Sequence, residues 1–339
     1  MKDARDYSLR HHNTFGIDVR CSRFVEIESE QEAQDFFSVP LSTAYQPLLI
    51  IGGGSNILFT NHFTGTVVHS AIRGISASPQ ADGILVRAGS GETWDYLVDY
   101  CTNRDWHGLE NLSLIPGDVG ASAVQNIGAY GSEAADCIVK IEAVDTTTGK
   151  AVAIDATDCG YGYRQSRFKS EWQGRYFITH VTYRLSHDFI PRLDYGDLRA
   201  LLKQQGIEGQ PTALQLRQAV IDIRRKKLPD PEVTGNAGSF FMNPIVSRQR
   251  YEQLSTLYPQ MPFYHVDEDH VKLAAGWLID QCGWKGRSMG PAGVHDRQAL
   301  VLVNRGGATG NDIVTLCRAI QHDVYERFNI ELHPEVLIV

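Results

Sequence analysis

The sequence predicts an α+β protein with more than one domain, and three observations carry that class. Strand-like runs dominate the middle of the chain without a regular strand-helix alternation, so mixed or antiparallel pairing is expected there. Amphipathic helices with apolar residues at i, i+3, i+4 and i+7 recur near residues 93–103, 212–227 and 313–324. The stretch Leu228-Pro229-Asp230-Pro231 stops the second of these helices and marks the best domain boundary.

The elements follow in order. Asn13-Thr14-Phe15-Gly16 is a polar turn ahead of a strand at residues 23–27. Ser29 with Glu32 three residues on forms a capping box that opens a helix to about Phe37. The apolar run Leu48-Leu49-Ile50-Ile51 reads as a buried strand and completes a small β-α-β unit. Further strands are expected at 65–69 and 84–88, before the helix carrying Trp94, Leu97, Val98 and Cys101.

Strands at 139–145, 151–154 and 176–185 come next, the first two joined by a Thr148-Gly149-Lys150 turn. Thr212 and Gln215 cap a helix with the stripe Leu216, Ala219, Val220 and Ile223, which ends in Arg224-Arg225-Lys226-Lys227. Cations suit a helix C-terminus, so a solvated helix end explains Arg225 and Lys226 without further role. Beyond the boundary we expect strands at 238–241 and 299–304 and helices at 247–257 and 274–282. A long helix carries Ile313, Leu316, Cys317, Ile320 and Val324 on one side, and residues 335–339 are apolar enough for a terminal strand.

With 339 residues and 42% hydrophobic composition, the chain can build two or three domains with sizeable cores. A formal net charge of -8 argues against nucleic-acid binding through bulk charge, so an anionic ligand needs a local basic cluster. The six cysteines are scattered, with no C-x-x-C and no metal-like spacing to histidine, which points to reduced thiols and no metal site. The polar start Met1-Lys2-Asp3-Ala4-Arg5-Asp6 is no signal peptide, and no apolar run approaches about 18 residues. A soluble, cytoplasmic protein without membrane association is the expectation.

Two glycine stretches carry the chemistry. Gly52-Gly53-Gly54-Ser55-Asn56 follows the buried strand, and the run from Ile115 to Gly131 contains Pro116, Gly117, Gly120, Ala121, Gln125, Asn126, Gly128, Ala129 and Tyr130. Both leave backbone amides uncrowded by Cβ atoms, which suits a chain wrapping a diphosphate. Neither fits G-x-G-x-x-G opening a helix or a P-loop, and one glycine run alone is equally an ordinary tight turn. Two together read as halves of one cofactor cradle.

Several phrases then match one family in order over nearly the whole chain. They are Asn13-Thr14-Phe15-Gly16, Gly53-Gly54-Ser55-Asn56, Ile115-Pro116-Gly117 with Gln125 to Gly131, and Tyr161-Gly162-Tyr163-Arg164 with Ser166, Phe168 and Lys169. Lys227-Leu228-Pro229-Asp230-Pro231, Gly235 to Phe241 with Asn243-Pro244, and residues 274–286 complete the set. The chain resembles the UDP-N-acetylenolpyruvoylglucosamine reductase (MurB) family, and Tyr195-Gly196-Asp197-Leu198 resembles the substrate-capping loop of its type I branch.

The resemblance implies an α+β fold with a two-part FAD-binding region of the vanillyl-alcohol-oxidase type and a smaller α+β substrate-binding domain. The division expected is residues 1–70, with 330–339 returning near them, then 71–227, then 228–329. It further implies reduction of UDP-N-acetylglucosamine enolpyruvate to UDP-N-acetylmuramate by bound FAD, with NADPH as co-substrate, in a monomer. The glycine-stretch residues Gly52, Gly53, Gly54, Ser55, Asn56, Pro116, Gly117, Gly120, Ala121, Gln125, Asn126, Gly128, Ala129 and Tyr130 are then the FAD contacts. Ser239 matches the proton donor, and Arg164 with Glu335 the pair that polarises the substrate carboxylate; beside that carboxylate Glu335 is expected to hold or share a proton. Tyr163, Tyr195, Lys227, Asn243, Lys285 and Gln298 match substrate contacts. Met242 and Leu337 depart from the family, each standing where a basic residue is usual.

Two rival readings differ in testable ways. An alcohol oxidase of the same cofactor fold often tethers its flavin through His or Cys, which neither glycine stretch contains, although His62 and His69 lie nearby. A sugar-nucleotide sensor has no use for a proton donor, yet Ser239, Arg164 and Glu335 are all present.

Overall fold

The computed structural model describes residues 1–39, 43 and 46–339. They form two compact units, one of Met1–Tyr7, Arg20–Gly54 and Phe63–Lys226, the other of Ser8–Val19, Ser55–His62 and Lys227–Val339. The change at Lys226/Lys227 lies at the Leu228-Pro229-Asp230-Pro231 stop. Segments 8–19 and 55–62, which sequence order groups with residues 1–70, pack in the second unit instead.

In the first unit, four strands lie in the order Lys2–Ser8, Arg20–Ile27, Phe63–Ser70, Leu48–Ile51. Phe63–Ser70 pairs in parallel with both Arg20–Ile27 and Leu48–Ile51, so the expected β-α-β unit has a third strand between its two. That strand takes the centre because Val67 and Val68 are both fully buried. It also needs Gly65, where a Cβ would fall 1.9 Å from the Pro47 carbonyl oxygen. The helix Glu30–Ser38 is capped by Ser29, which accepts from the Glu32 N–H, while Glu32 accepts from the Glu28 N–H. It buries Ala33, Phe36 and Phe37 against Val25, Ile27, Val68 and Phe177. Each large apolar side chain so buried stabilises by roughly 1.5–3 kcal/mol before entropy is counted.

The second sheet of this unit is antiparallel throughout, in the order Ala151–Asp155, Ile138–Asp145, Tyr176–Leu185, Gly83–Gly89, Ile75–Gln80. The helices Trp94–Thr102 and Val119–Gln125 share a core with it, centred on Trp94 edge-on to Tyr183 at 5.8 Å. Two hydrogen bonds anchor that core to the second glycine stretch and to the residues just before it. The Trp94 indole donates to the Leu112 carbonyl, and the hydroxyls of Tyr183 and Ser122 lie 2.7 Å apart. Part of that stretch is therefore helical. Gly120 lets the helix close on Ser90, whose Cβ would be 2.8 Å from an added methyl.

The second unit has a sheet in the order Gly235–Ser239, Val301–Asn304, Ala292–Val294, Ser288–Met289, antiparallel at each pairing. A three-stranded sheet of Ile245–Ser247, His270–Leu273 and Phe263–His265 accompanies it. The helix Gly310–Phe328 buries the predicted stripe Ile313, Leu316, Cys317, Ile320 and Val324 and carries a Thr309/Asp312 capping box. Backbone contacts explain why the two early segments join this unit. Asn304 donates to the Phe15 carbonyl, the Asn236 N–H to the Thr14 carbonyl, and Gly310 lies where a Cβ would be 1.9 Å from the Phe59 oxygen. Of the expected terminal strand only Leu337–Ile338 forms, paired in parallel with Ile57–Leu58. Among the described residues no helix is long and apolar enough to cross a membrane.

Candidate functional site

In the first unit the two glycine stretches touch. A Cβ on Gly53 would lie 3.3 Å from Gly117 Cα and 3.2 Å from Asp118 Oδ1, and one on Gly52 would meet Ala121 Cβ and Asp118 Oδ2 at 3.4 Å. Side chains at these positions would crowd the second stretch, so the glycines let the two backbones approach closely. Gly117 has φ +114° and Gly54 φ +66°, both in the region glycine favours. After Gly54 the chain passes into the second unit, where Asn56 Nδ2 donates to the Glu335 carbonyl at 3.2 Å and the Leu337 N–H to the Asn56 carbonyl at 3.1 Å.

The end of the second stretch is held in a rarer backbone. Gly128–Ala129 pairs with Ser132–Glu133, and the intervening Tyr130 and Gly131 have φ +49° and +78°, the pattern of a type I′ turn. Tyrosine costs energy at such a position, so the surrounding bonds must impose it. Asn111 Nδ2 donates to the Tyr130 carbonyl at 2.9 Å, and the Tyr195 ring packs edge-on to Tyr130 at 6.4 Å. The structure thus brings Tyr195 to this turn. Asn126, fully buried at φ +45°, donates to Glu133 and to the Gly162 carbonyl and accepts from the Ala135 N–H. Its side chain organises the loop, while its own N–H donates to the Ser122 carbonyl and its carbonyl accepts from Arg164 at 3.5 Å.

Arg164 is at the second central position of a tight turn closed by reciprocal Gly162 and Gln165 backbone bonds, with φ +56°. This is the residue that a type II turn places at positive φ. The guanidinium donates to the Gly128 carbonyl and lies 5.3 Å from the Tyr163 ring centre. Gly128 admits it, since a Cβ there would be 2.7 Å from Nη1. Lys169 Nζ donates to the Arg164 carbonyl at 2.8 Å.

Three groups near these residues escape a sequence reading. Arg224, to which the sequence reading gave no role, donates from Nε to the Leu114 carbonyl at 3.1 Å, and burial lowers its pKa. Asp118 Oδ1 lies 3.2 Å from where a Gly53 Cβ would be, and burial pushes its carboxyl up to about 6. Arg217 is buried against Asp95. An acid inside an Ile-Pro-Gly-Asp loop and arginines one helical repeat apart on an apolar stripe were the signals available.

In the second unit, residues 239–242 run beside 333–335. The Glu335 N–H donates to the Phe240 carbonyl at 2.8 Å, Phe241 bridges Pro334, and the Met242 N–H donates to the His333 carbonyl. Ser239 and Glu335 are thereby brought to adjoining positions. Asn236 shapes the approach, accepting from the Gly238 N–H at 2.9 Å while Gly238 takes φ +67°. No protein group among the described residues hydrogen-bonds the Ser239 hydroxyl, which is partly exposed.

Asn243 and Gln298 meet at the start of the helix Ala275–Gln281. Asn243 Oδ1 accepts from the Ala275 N–H at 2.9 Å, and Gln298 Oε1 would lie 3.0 Å from a Cβ on Gly276. Lys285 sits past the other end of that helix, paired at 2.9 Å with Asp280, and both side chains are partly exposed. Lys227 is exposed at the C-terminus of the helix Ala213–Lys227.

Two family models match this chain. Residues 230–339 match the C-terminal domain of UDP-N-acetylenolpyruvoylglucosamine reductase, and residues 21–155 match an FAD binding domain. The UDP-N-acetylenolpyruvoylglucosamine reductase of Bacteroides fragilis is 53% identical over 332 residues, 97% of this chain and 98% of the relative. The chain belongs to the UDP-N-acetylenolpyruvoylglucosamine reductase family. The member from Paraburkholderia xenovorans is 48% identical over 97% of this chain and 95% of its own. Among solved structures, the reductase of Thermus caldophilus superposes with TM-score 0.67 at 22% identity, over 99% of this chain and 98% of that one. A 6-hydroxy-D-nicotine oxidase from Arthrobacter nicotinovorans reaches TM-score 0.50 at 13% identity, over 92% and 82%. The family fold is that of an FAD-binding oxidoreductase, with most of the matched FAD binding domain inside the first unit.

Proposed function

We propose that this chain reduces the enolpyruvyl ether of UDP-N-acetylglucosamine enolpyruvate to UDP-N-acetylmuramate in peptidoglycan biosynthesis, with NADPH as reductant. Gly52, Gly53, Gly54 and Gly117, with the run from Gly120 to Tyr130, hold FAD through uncrowded backbone amides. Bound FAD supplies the hydride that reaches the substrate β-carbon. The protein's own residues fix the substrate, favour the charge that develops on it and supply one proton.

Arg164 meets the substrate carboxylate, because a guanidinium offers two parallel donors that a lysine cannot. Glu335 acts with it, carrying or sharing a proton so that it donates rather than repels. Ser239 gives its hydroxyl proton to the neighbouring carbon. Serine is a weak acid, so this works only because the enolate-like carbon is strongly basic and the hydroxyl is held on it. Lys227, Tyr195, Tyr163, Asn243, Lys285 and Gln298 bind the sugar nucleotide and its diphosphate.

The observation that carries this reading is the pairing of residues 239–242 with 333–335, which brings Ser239, whose hydroxyl has no protein hydrogen-bond partner among the described residues, beside Glu335. Its test separates the two half-reactions. In Ser239→Ala, bleaching of the flavin by NADPH is expected to keep its rate, while reoxidation by the enolpyruvyl substrate slows by about 10²-fold or more. An equal loss in both half-reactions contradicts the assignment.

A further inference from the structure

Asp118 is an ionisable side chain lodged in the glycine cradle. It occupies the N-cap position of the helix Val119–Gln125 yet makes no capping hydrogen bond. Instead its carboxylate faces Gly53, with its oxygens 3.2 and 3.4 Å from where a Gly53 Cβ would be. A carboxylate of the protein's own therefore already stands against the cradle backbone.

The charges around it do not neutralise that anion. From the strand Phe63–Ser70, His69 Nε2 stands 3.9 Å from Asp118 Oδ2, and its Nδ1 faces Glu26 at 3.1 Å. Burial lowers the His69 pKa, so near neutrality the ring is uncharged. Arg73 and Glu92 act from further off and lie 3.5 Å from one another. Burial pushes the Asp118 carboxyl up to about 6, inside the range where it changes charge under ordinary conditions.

We propose that Asp118 is a proton-controlled determinant of flavin affinity. As a neutral acid it leaves the cradle free to take the flavin diphosphate. As a carboxylate beside Gly53 it repels the phosphates. This rests on the reading that the glycine cradle holds the FAD diphosphate. The sign follows from linkage: phosphates beside the carboxyl raise its pKa further, so binding takes up a proton and affinity falls as pH rises through about 6. Each unit of additional shift is about tenfold in affinity.

The test is titration of the flavin-free protein with FAD, followed by flavin fluorescence, between about pH 5 and 8.5, for wild type, Asp118→Asn, Asp118→Thr and His69→Gln. Asparagine keeps the shape and an oxygen beside Gly53 but carries no charge. The dissociation constant of the wild type is expected to rise about tenfold over this range. Asp118→Asn and Asp118→Thr should bind with no such slope, and His69→Gln should keep it. Melting of the flavin-free proteins is a second readout. A carboxyl raised in the fold stabilises least above its folded pKa, so wild-type stability should fall between about pH 4 and 6 relative to Asp118→Asn. A flat wild-type profile, the same slope in Asp118→Asn, or loss of the slope in His69→Gln would each overturn the proposal. Failure of every folded variant, and of the wild type, to bind FAD at any pH would instead remove the cradle reading on which it stands.

Discussion

Replacing Arg217 by methionine perturbs the network that positions the second glycine stretch. The guanidinium, 8% exposed, donates to Asp95 at 2.7 and 3.1 Å and to Asp99 at 3.2 Å. Asp95 Oδ1 in turn accepts from the Leu114 N–H at 2.5 Å, and Leu114, at φ +57°, has its carbonyl held by Arg224. Leu114 is three residues before Gly117; its carbonyl is tied directly to the helix Ala213–Lys227, and its N–H through Asp95.

Removing one partner of a buried pair costs about 3–5 kcal/mol. Here the Asp95 side chain is 26% exposed and that of Asp99 is 52% exposed, so water recovers part of the loss. We expect about 2–3 kcal/mol, a factor of roughly 30 to 150 in the folding equilibrium. In urea the midpoint of the first unit should drop by about 1 M. The pH dependence should change as well. Burial pushes the Asp95 carboxyl up, but the Arg217 and Leu114 hydrogen bonds outweigh it and hold the pKa below the ordinary value. The resulting stability is present above about pH 4 and lost as pH falls through the lowered value. Arg217→Met should flatten that acid limb, and an Asp95→Asn/Arg217→Met cycle should return a coupling above about 1 kcal/mol. A loss under about 0.5 kcal/mol with an unchanged acid limb would refute the reasoning.

Two further substitutions probe the site. Glu335→Gln should keep turnover within about tenfold of wild type, whereas Glu335→Ala should lose about 10²-fold or more in kcat, because the first preserves a hydrogen-bond donor and the second removes it. Equal losses in steady-state kcat would point to proton transfer by Glu335. Gly53→Ala places a methyl 3.2 Å from Asp118 Oδ1 and 3.3 Å from Gly117 Cα, so the purified variant should retain less flavin per chain by its visible-to-ultraviolet absorbance ratio. Full flavin occupancy would show that this close approach is not needed.

Local periodicity made the helices legible. Leu216, Ala219, Val220 and Ile223 form a stripe that is buried, as do the five positions on the long C-terminal helix. The two glycine phrases were legible as units for the same reason, since each is contained in adjacent residues, and they touch at Gly53 and Gly117. What depends on distant partners was not. Lys2–Ser8 is too charged to read as a strand, and it pairs at a sheet edge where Arg23 meets Asp3 at 2.7 Å. Ile75–Gln80 contains Pro79, which only an edge strand tolerates. The helix Val119–Gln125 hid inside the glycine stretch because its Gly120 and alanines fit against Ser90 and the sheet, a packing that no local pattern announces. The placing of segments 8–19 and 55–62 with the C-terminal residues depends on contacts with residues far along the chain, at Thr14 and Phe15 and from Asn56 to Thr60. Asp118 and Arg224 likewise acquire their roles from residues far along the chain.

The most direct measurement is an anaerobic absorbance spectrum of the purified protein, followed first with NADPH and then with UDP-N-acetylglucosamine enolpyruvate. A flavin band near about 450 nm, bleached by the first and restored by the second, is the predicted result. A band that NADPH bleaches and the enolpyruvyl substrate leaves bleached, or no band after reconstitution with FAD, would contradict the proposed reaction.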